Sequence, residues 1–122
     1  MITSPTSLEL IDAVIGFIEQ RAAPQLKDRD AFLAHVAVNA LAAVRREIEL
    51  GPQAEAAATQ RLRDLLGHEG DFSELNAELC DRLAAGELTL KDPAVLAHLK
   101  ASIVDQVEID QPNYSGLKAL GG

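Results

Sequence analysis

"AFLAHVAVNALAAVRREIELGP", residues 31–52, decides how this chain folds. Placed at 100° per residue, Leu33, Val36, Ala37, Ala40, Leu41, Val44 and Ile48 make one broad apolar face. His35, Asn39, Ala42, Arg46 and Glu49 fall in a line on the opposite side, flanked in its first half by Phe32 and Val38. A helix that is apolar nearly all round is normally covered on both sides. The reading is therefore a central helix, whose polar stripe begins inside a bundle at His35 and reaches water at Arg46 and Glu49. Asp28 or Asp30 is the expected cap at its start. Gly51-Pro52 is expected to end it near Leu50, since glycine takes the left-handed position and proline cannot continue.

Working outward from this helix, punctuation marks predict four more and no strand. Thr6-x-x-Glu9 has capping-box spacing, and Leu8, Ile11, Ile15 and Ile18 follow at helical intervals, widened by Leu10, Val14 and Phe17. Ala22-Ala23-Pro24 closes that first helix. A third, alanine-rich helix is expected from about Gln53 to Leu66, carrying Leu62, Leu65 and Leu66. Asp71-x-x-Glu74 opens a fourth, with a stripe of Phe72, Leu75, Leu79 and Leu83 closed by Gly86. Asp92-Pro93 opens the fifth, running to about Asp110 with Leu96, Leu99, Ile103 and Val107 as its expected buried edge. Two-residue alternation persists nowhere, and β-branched residues never cluster. The fold class is all-α: one domain over residues 1–122, with about five helices in a bundle over 4–110 and a C-terminal extension over 111–122, of which "SGLKALGG" reads as loose.

Composition narrows the classes of function. A chain of 122 residues can bury one core, and with aromatics at only 3% that core has to be aliphatic. Nineteen acidic residues against eleven basic leave a net charge of −8, which repels phosphate backbones and anionic lipid surfaces. Neither nucleic acid nor a membrane is expected as a partner. "MITSPTSLEL" lacks the basic start and continuous apolar stretch of a signal peptide, and the lone Cys80 fits a reducing compartment, so the expected location is the cytoplasm.

Candidate chemistry is sparse. His35 and Asn39, if buried, need partners: a neighbouring helix, a trapped water, or a ligand in a small polar pocket lined by His35, Asn39, Arg46 and Tyr114. Tyr114 enters because Pro112 ends the last helix and frees the only tyrosine to fold back over a helix end, either as a clamp or as a pocket wall. His35, His68 and His98 lie on separate segments without metal-ligand spacing, and His98 with Asp105 and Glu108 reads as a solvated polar face. Cys80 sits mid-helix with no basic neighbour to activate it and reads as an inert, partly buried thiol. No nucleophile elbow, phosphate loop or dinucleotide fingerprint occurs, so no catalytic residue, metal or cofactor is assigned.

Three stretches, "FLAHVAVNALAAVRREIELGP" (32–52), "DFSELNAELCDRLAAGEL" (71–88) and "HLKASIVDQVEIDQPNY" (98–114), together resemble a bacterial family of about this length described only as a domain of unknown function. The His35/Asn39 and Pro112/Tyr114 pairs are the most specific parts of the likeness. The chain departs from the family at Gln111, where asparagine is frequent, and at Gln106, where lysine is frequent. The resemblance implies a gene neighbourhood of aminoglycoside-phosphotransferase-like and acyl-CoA-dehydrogenase-like genes, and with it a pathway rather than a mechanism. Two expectations follow. One is a non-catalytic accessory or interaction protein, pairing with itself as a homodimer and with a protein from its pathway. The other is a small-molecule-binding or catalytic protein using the four-residue pocket, in acyl-CoA or phosphotransferase-linked metabolism.

Overall fold

The computed structural model describes residues 4–120. It contains α1 (Ser7–Phe17), α2 (Asp28–Leu66), α3 (Phe72–Ala84) and α4 (Pro93–Asp110), with a 3-10 helix over Ser115–Leu120 and no strand among the described residues. The all-α expectation holds. Of the terminal "SGLKALGG", residues 115–120 wind into that 3-10 turn, and Gly121 and Gly122 lie outside the described residues.

The caps explain where most helices begin and end. Thr6 accepts the Glu9 amide at 3.1 Å while the Glu9 carboxylate accepts the Thr6 amide, closing the expected capping box. Asp71 accepts the Glu74 amide at 2.8 Å, and Asp92 accepts the Ala94 amide at 3.0 Å with Pro93 in the first turn. Gly86, at φ 78°, lets its own amide reach the Leu83 carbonyl and the Glu87 amide reach the Arg82 carbonyl, which satisfies the end of α3. Neither proposed start of α2 forms as a side-chain cap. Asp28 is itself the first helical residue and stands at φ 51°, a left-handed conformation that aspartate tolerates.

Two expected helix ends move. α1 does not stop at Ala22: it gives way after Phe17 to a π turn over Ile18–Ala22 and a 3-10 turn over Ala23–Gln25. The Ala23 amide bonds the Ile18 carbonyl five residues back, a widened turn just before Pro24. The larger correction is at Gly51-Pro52, which does not end the second helix. α2 runs unbroken for 39 residues with Pro52 inside it, joining what the sequence divides into a second and a third helix. Glycine eases the join, because one of the clashes of a helical proline ring is with the Cβ of the preceding residue, and Gly51 has none. The Ala54–Ala58 run then supplies strong helix formers that carry the chain on. The missing Pro52 amide still leaves the Ile48 carbonyl without its helical donor.

The chain divides into two compact units, one through Leu50 and one from Gly51 onward. The second unit holds an aliphatic core of Leu62 and Leu66 from α2 and Leu75 and Leu79 from α3, ringed by Leu65, Phe72, Leu83, Leu88 and Leu99. The α3 stripe is the expected one. The buried edge of α4 is so only in part: Leu99 packs against the core as expected, but the buried residues are Val95, His98 and Ile109, and Leu96 and Ile103 are half exposed. α4 is apolar on two faces, and the core takes the one that carries the histidine. Leu62, Leu75 and Leu79 each contribute about 1.5–3 kcal/mol by leaving water.

Candidate interaction surface

The first unit is a helical hairpin. α1 is joined to α2 through the turn at residues 18–27 and pinned to it by Arg45, whose Nε donates to Asp12 Oδ1 at 2.7 Å and Nη2 to Asp12 Oδ2 at 3.3 Å. Arg45 also bonds Glu49, one turn along α2. The Arg45 bond, opposed by partial desolvation and aided by its charge, holds the Asp12 carboxyl below the usual carboxylate range. Pairing of residue 12 with residue 45 sets an antiparallel register. Half-buried Leu8, Ile11 and Ile15 of α1 share one side, and half-buried Ala31, Ala34, Val38, Leu41 and Ala42 of α2 share another.

Two apolar stripes remain open among the charged residues. On α1, Leu10, Val14 and Phe17 form an i, i+4, i+7 stripe with exposures of 53%, 47% and 62%. On α2, Leu33, Val36, Val44 and Ile48 are each more than 40% exposed, with Ala37 and Ala40 exposed between them. These belong to the very face that the sequence marks as the core side of a central helix. With right-handed helices in this register, the flanks bearing Leu10, Val14 and Phe17 and bearing Leu33, Val44 and Ile48 turn to the same side of the hairpin.

His35, Asn39 and Arg46 line the other flank of α2. His35 and Asn39 are both exposed, and Phe32 beside them is 62% exposed, so this part of α2 is not enclosed. The expectation that the imidazole and carboxamide need company inside a bundle is therefore corrected: water serves them. Arg46 is half buried and engaged. Tyr114 belongs to the second unit, is 51% exposed, and its ring lies over Gly116 in the first turn of the 3-10 helix that follows it. A Cβ at Gly116 would sit 2.4 Å from the Tyr114 ring, so glycine gives the ring its place and a larger residue would push it aside.

The buried histidine is His98, and its reading as part of a solvated face is corrected. It is 4% exposed and its Nδ1 accepts from Arg61 Nε at 3.1 Å, while Arg61 Nη2 reaches Ser102 Oγ at 3.4 Å. An acceptor Nδ1 means a neutral ring protonated on Nε2. Burial, helped by the Arg61 charge, lowers the His98 pKa and keeps it so. Its signal was the spacing 95, 98, 102, 109, one face of α4, opposite Arg61 on the core side of α2. His68 has the contrary environment. Its Nδ1 faces the Glu69 carbonyl at 2.8 Å and its Nε2 faces Glu78 Oε1 at 2.7 Å, two acceptors that together require an imidazolium. The Glu69 carbonyl first, then Glu78, raise its pKa. Arg82 shares Glu78 at 2.8 Å.

Cys80 is exposed rather than partly buried. Among the described residues no three metal-ligating side chains cluster, and no helix is long and apolar enough to cross a membrane. An open cleft of about 470 Å³ runs between α2 and the start of α3, lined by Glu55, Thr59, Arg63, Asp71 and Phe72. Its two carboxylates and one guanidinium set no single ligand charge. The most extensive feature able to recognise anything is the apolar side of the hairpin.

No curated protein and no solved structure matches the chain. Residues 24–114, most of its length, match the family profile described as Domain of unknown function (DUF6285), and the chain belongs to that family.

Proposed function

We propose that this protein is a non-catalytic interaction protein that works as an assembly of its own copies. One observation carries the reading. Among the described residues the first unit has no buried side chain, yet nine of its large apolar residues, on α1, α2 and the turn between them, are at least 38% exposed. Six of the nine, Leu10, Val14, Phe17, Leu33, Val44 and Ile48, lie on one side of the hairpin and present roughly 600 Å² there, most of the ~800 Å² each partner contributes to a standard interface. A unit of this size without a closed core is marginal, and oligomerisation is a usual remedy.

The polar groups support the non-catalytic half. The two histidines with shifted titration are engaged structurally, His68 by the Glu69 carbonyl and Glu78, and His98 by Arg61. Arg45 is committed to Asp12 and Glu49. The occupant of the apolar surface is a second copy, because a face needed to complete the unit's own core must be covered permanently, and closed two-fold pairing is the commonest way to do so. Light scattering on the full chain tests this. A particle of twice the chain mass or more is expected at micromolar concentration, and a monodisperse monomer throughout that range would refute it.

A further inference from the structure

We infer that the second copy docks hairpin against hairpin, closing a four-helix bundle from α1 and α2 of each chain. This deepens the reading above and rests on it. The side of the hairpin that carries Leu10, Val14 and Phe17 from α1 and Leu33, Val44 and Ile48 from α2 is a two-helix slab with all six side chains more than 40% exposed. The Asp12–Arg45 pair ties the two helices antiparallel, and the small Ala37 and Ala40 are exposed among these larger side chains. Two such slabs face to face give an interior of large-with-small neighbours, as interdigitated bundle cores require.

The charge distribution agrees. The six slab residues are uncharged, and Asp12, His35, Asn39, Arg45 and Glu49 fall away from them; of the exposed carboxylates on this side of α2, Asp30 stands one turn before Leu33 and Glu47 on the outer edge beside Val44, both at the rim of the slab. The six side chains alone present roughly 600 Å² per chain, most of the ~800 Å² per partner of a standard interface. Unit two has a second open stripe, Leu96 and Ile103 on α4, but two residues cannot supply that area.

The test is the mass of the full chain by light scattering for the wild type, Val44→Asp, Leu96→Asp and Asn39→Asp, with circular dichroism confirming that each remains helical. The expected result is a dimer of about 26 kDa, twice the 13.0 kDa chain. Val44→Asp is expected to halve that mass at equal concentration, while Leu96→Asp and Asn39→Asp leave it unchanged. A dimer that survives Val44→Asp but not Leu96→Asp overturns the bundle and keeps self-association. A dimer dissolved by Asn39→Asp moves the interface to the polar flank, and a wild-type monomer overturns both. Should Val44→Asp unfold, Val14→Thr and Leu33→Ser ask the same question with smaller changes, each expected to raise the dimer dissociation constant at least tenfold.

Discussion

Replacing His98 and His35 by alanine, one at a time, separates a histidine that holds the fold from one that does not. His98 is 4% exposed and is the acceptor for Arg61 Nε. Its removal strands a charged donor worth about 1.5–3 kcal/mol per hydrogen bond. It also leaves a void where an imidazole stood, and large-to-small changes at buried sites cost roughly 2–5 kcal/mol in all. Because α2 and α4 can relax toward one another around Ser102, a total near ~3 kcal/mol is expected. With a urea m-value of about 2 kcal/mol/M, that moves the unfolding midpoint down by roughly 1.5 M. His35 is exposed on the polar flank of α2, and His35→Ala should leave the midpoint where it is. Urea titration followed by circular dichroism at fixed protein concentration reads both, the fixed concentration mattering because an associating chain gains stability by mass action. A His98→Ala midpoint within ~0.3 M of wild type, or a His35→Ala shift as large as the His98→Ala one, would refute the assignment of which imidazole is structural.

Two further outcomes follow from features outside that pair. Pro52→Ala restores the amide that the Ile48 carbonyl lacks and should stabilise α2 by about 1–3 kcal/mol, seen as a higher urea midpoint; a lower midpoint would mean that the chain needs a stop at that point. The pH dependence should carry two opposed histidine contributions around the ordinary imidazole value of about 6.5. The folded state holds His98 below that value, so the unfolded chain takes up the proton first and stability falls as pH drops through it; His98→Gln should flatten this acid limb. His68 is held above it, so its contribution is complete on the acid side and is lost as pH rises through the raised value; His68→Gln should flatten that limb instead, and identical profiles for the two variants would contradict the assignment.

Capping chemistry was readable because each device is local. Thr6 with Glu9, Asp71 before Phe72, Asp92 before Pro93 and Gly86 after α3 act within a few residues of themselves, and all four form. The α3 stripe was readable because only one of its faces is apolar. What failed to read had two competing answers of similar strength. α2 and α4 are apolar on more than one side, and periodicity says that such helices have faces without ranking them. On α2 the half-buried side holds Ala31, Ala34, Val38, Leu41 and Ala42, mostly small residues that allow close approach to α1, while Leu33, Val44 and Ile48 stay open. On α4 the buried face is the one where His98 can meet Arg61, a pairing across 37 residues that no local pattern carries. Gly51-Pro52 misled because the dipeptide that commonly ends helices also places before the proline a residue without the Cβ its ring would meet.

That dipeptide has a consequence for how the molecule loosens. α2 is 39 residues of continuous helix, and the first unit ends at Leu50, just before Gly51-Pro52. A rod with one absent rung frays preferentially up to that rung, so partial opening should halt there rather than spread. Amide exchange ought then to show two populations along a single helix: fast on the side of residues 28–51, whose protection depends on what covers it, and slow from Ala58 to Leu66, anchored by Leu62.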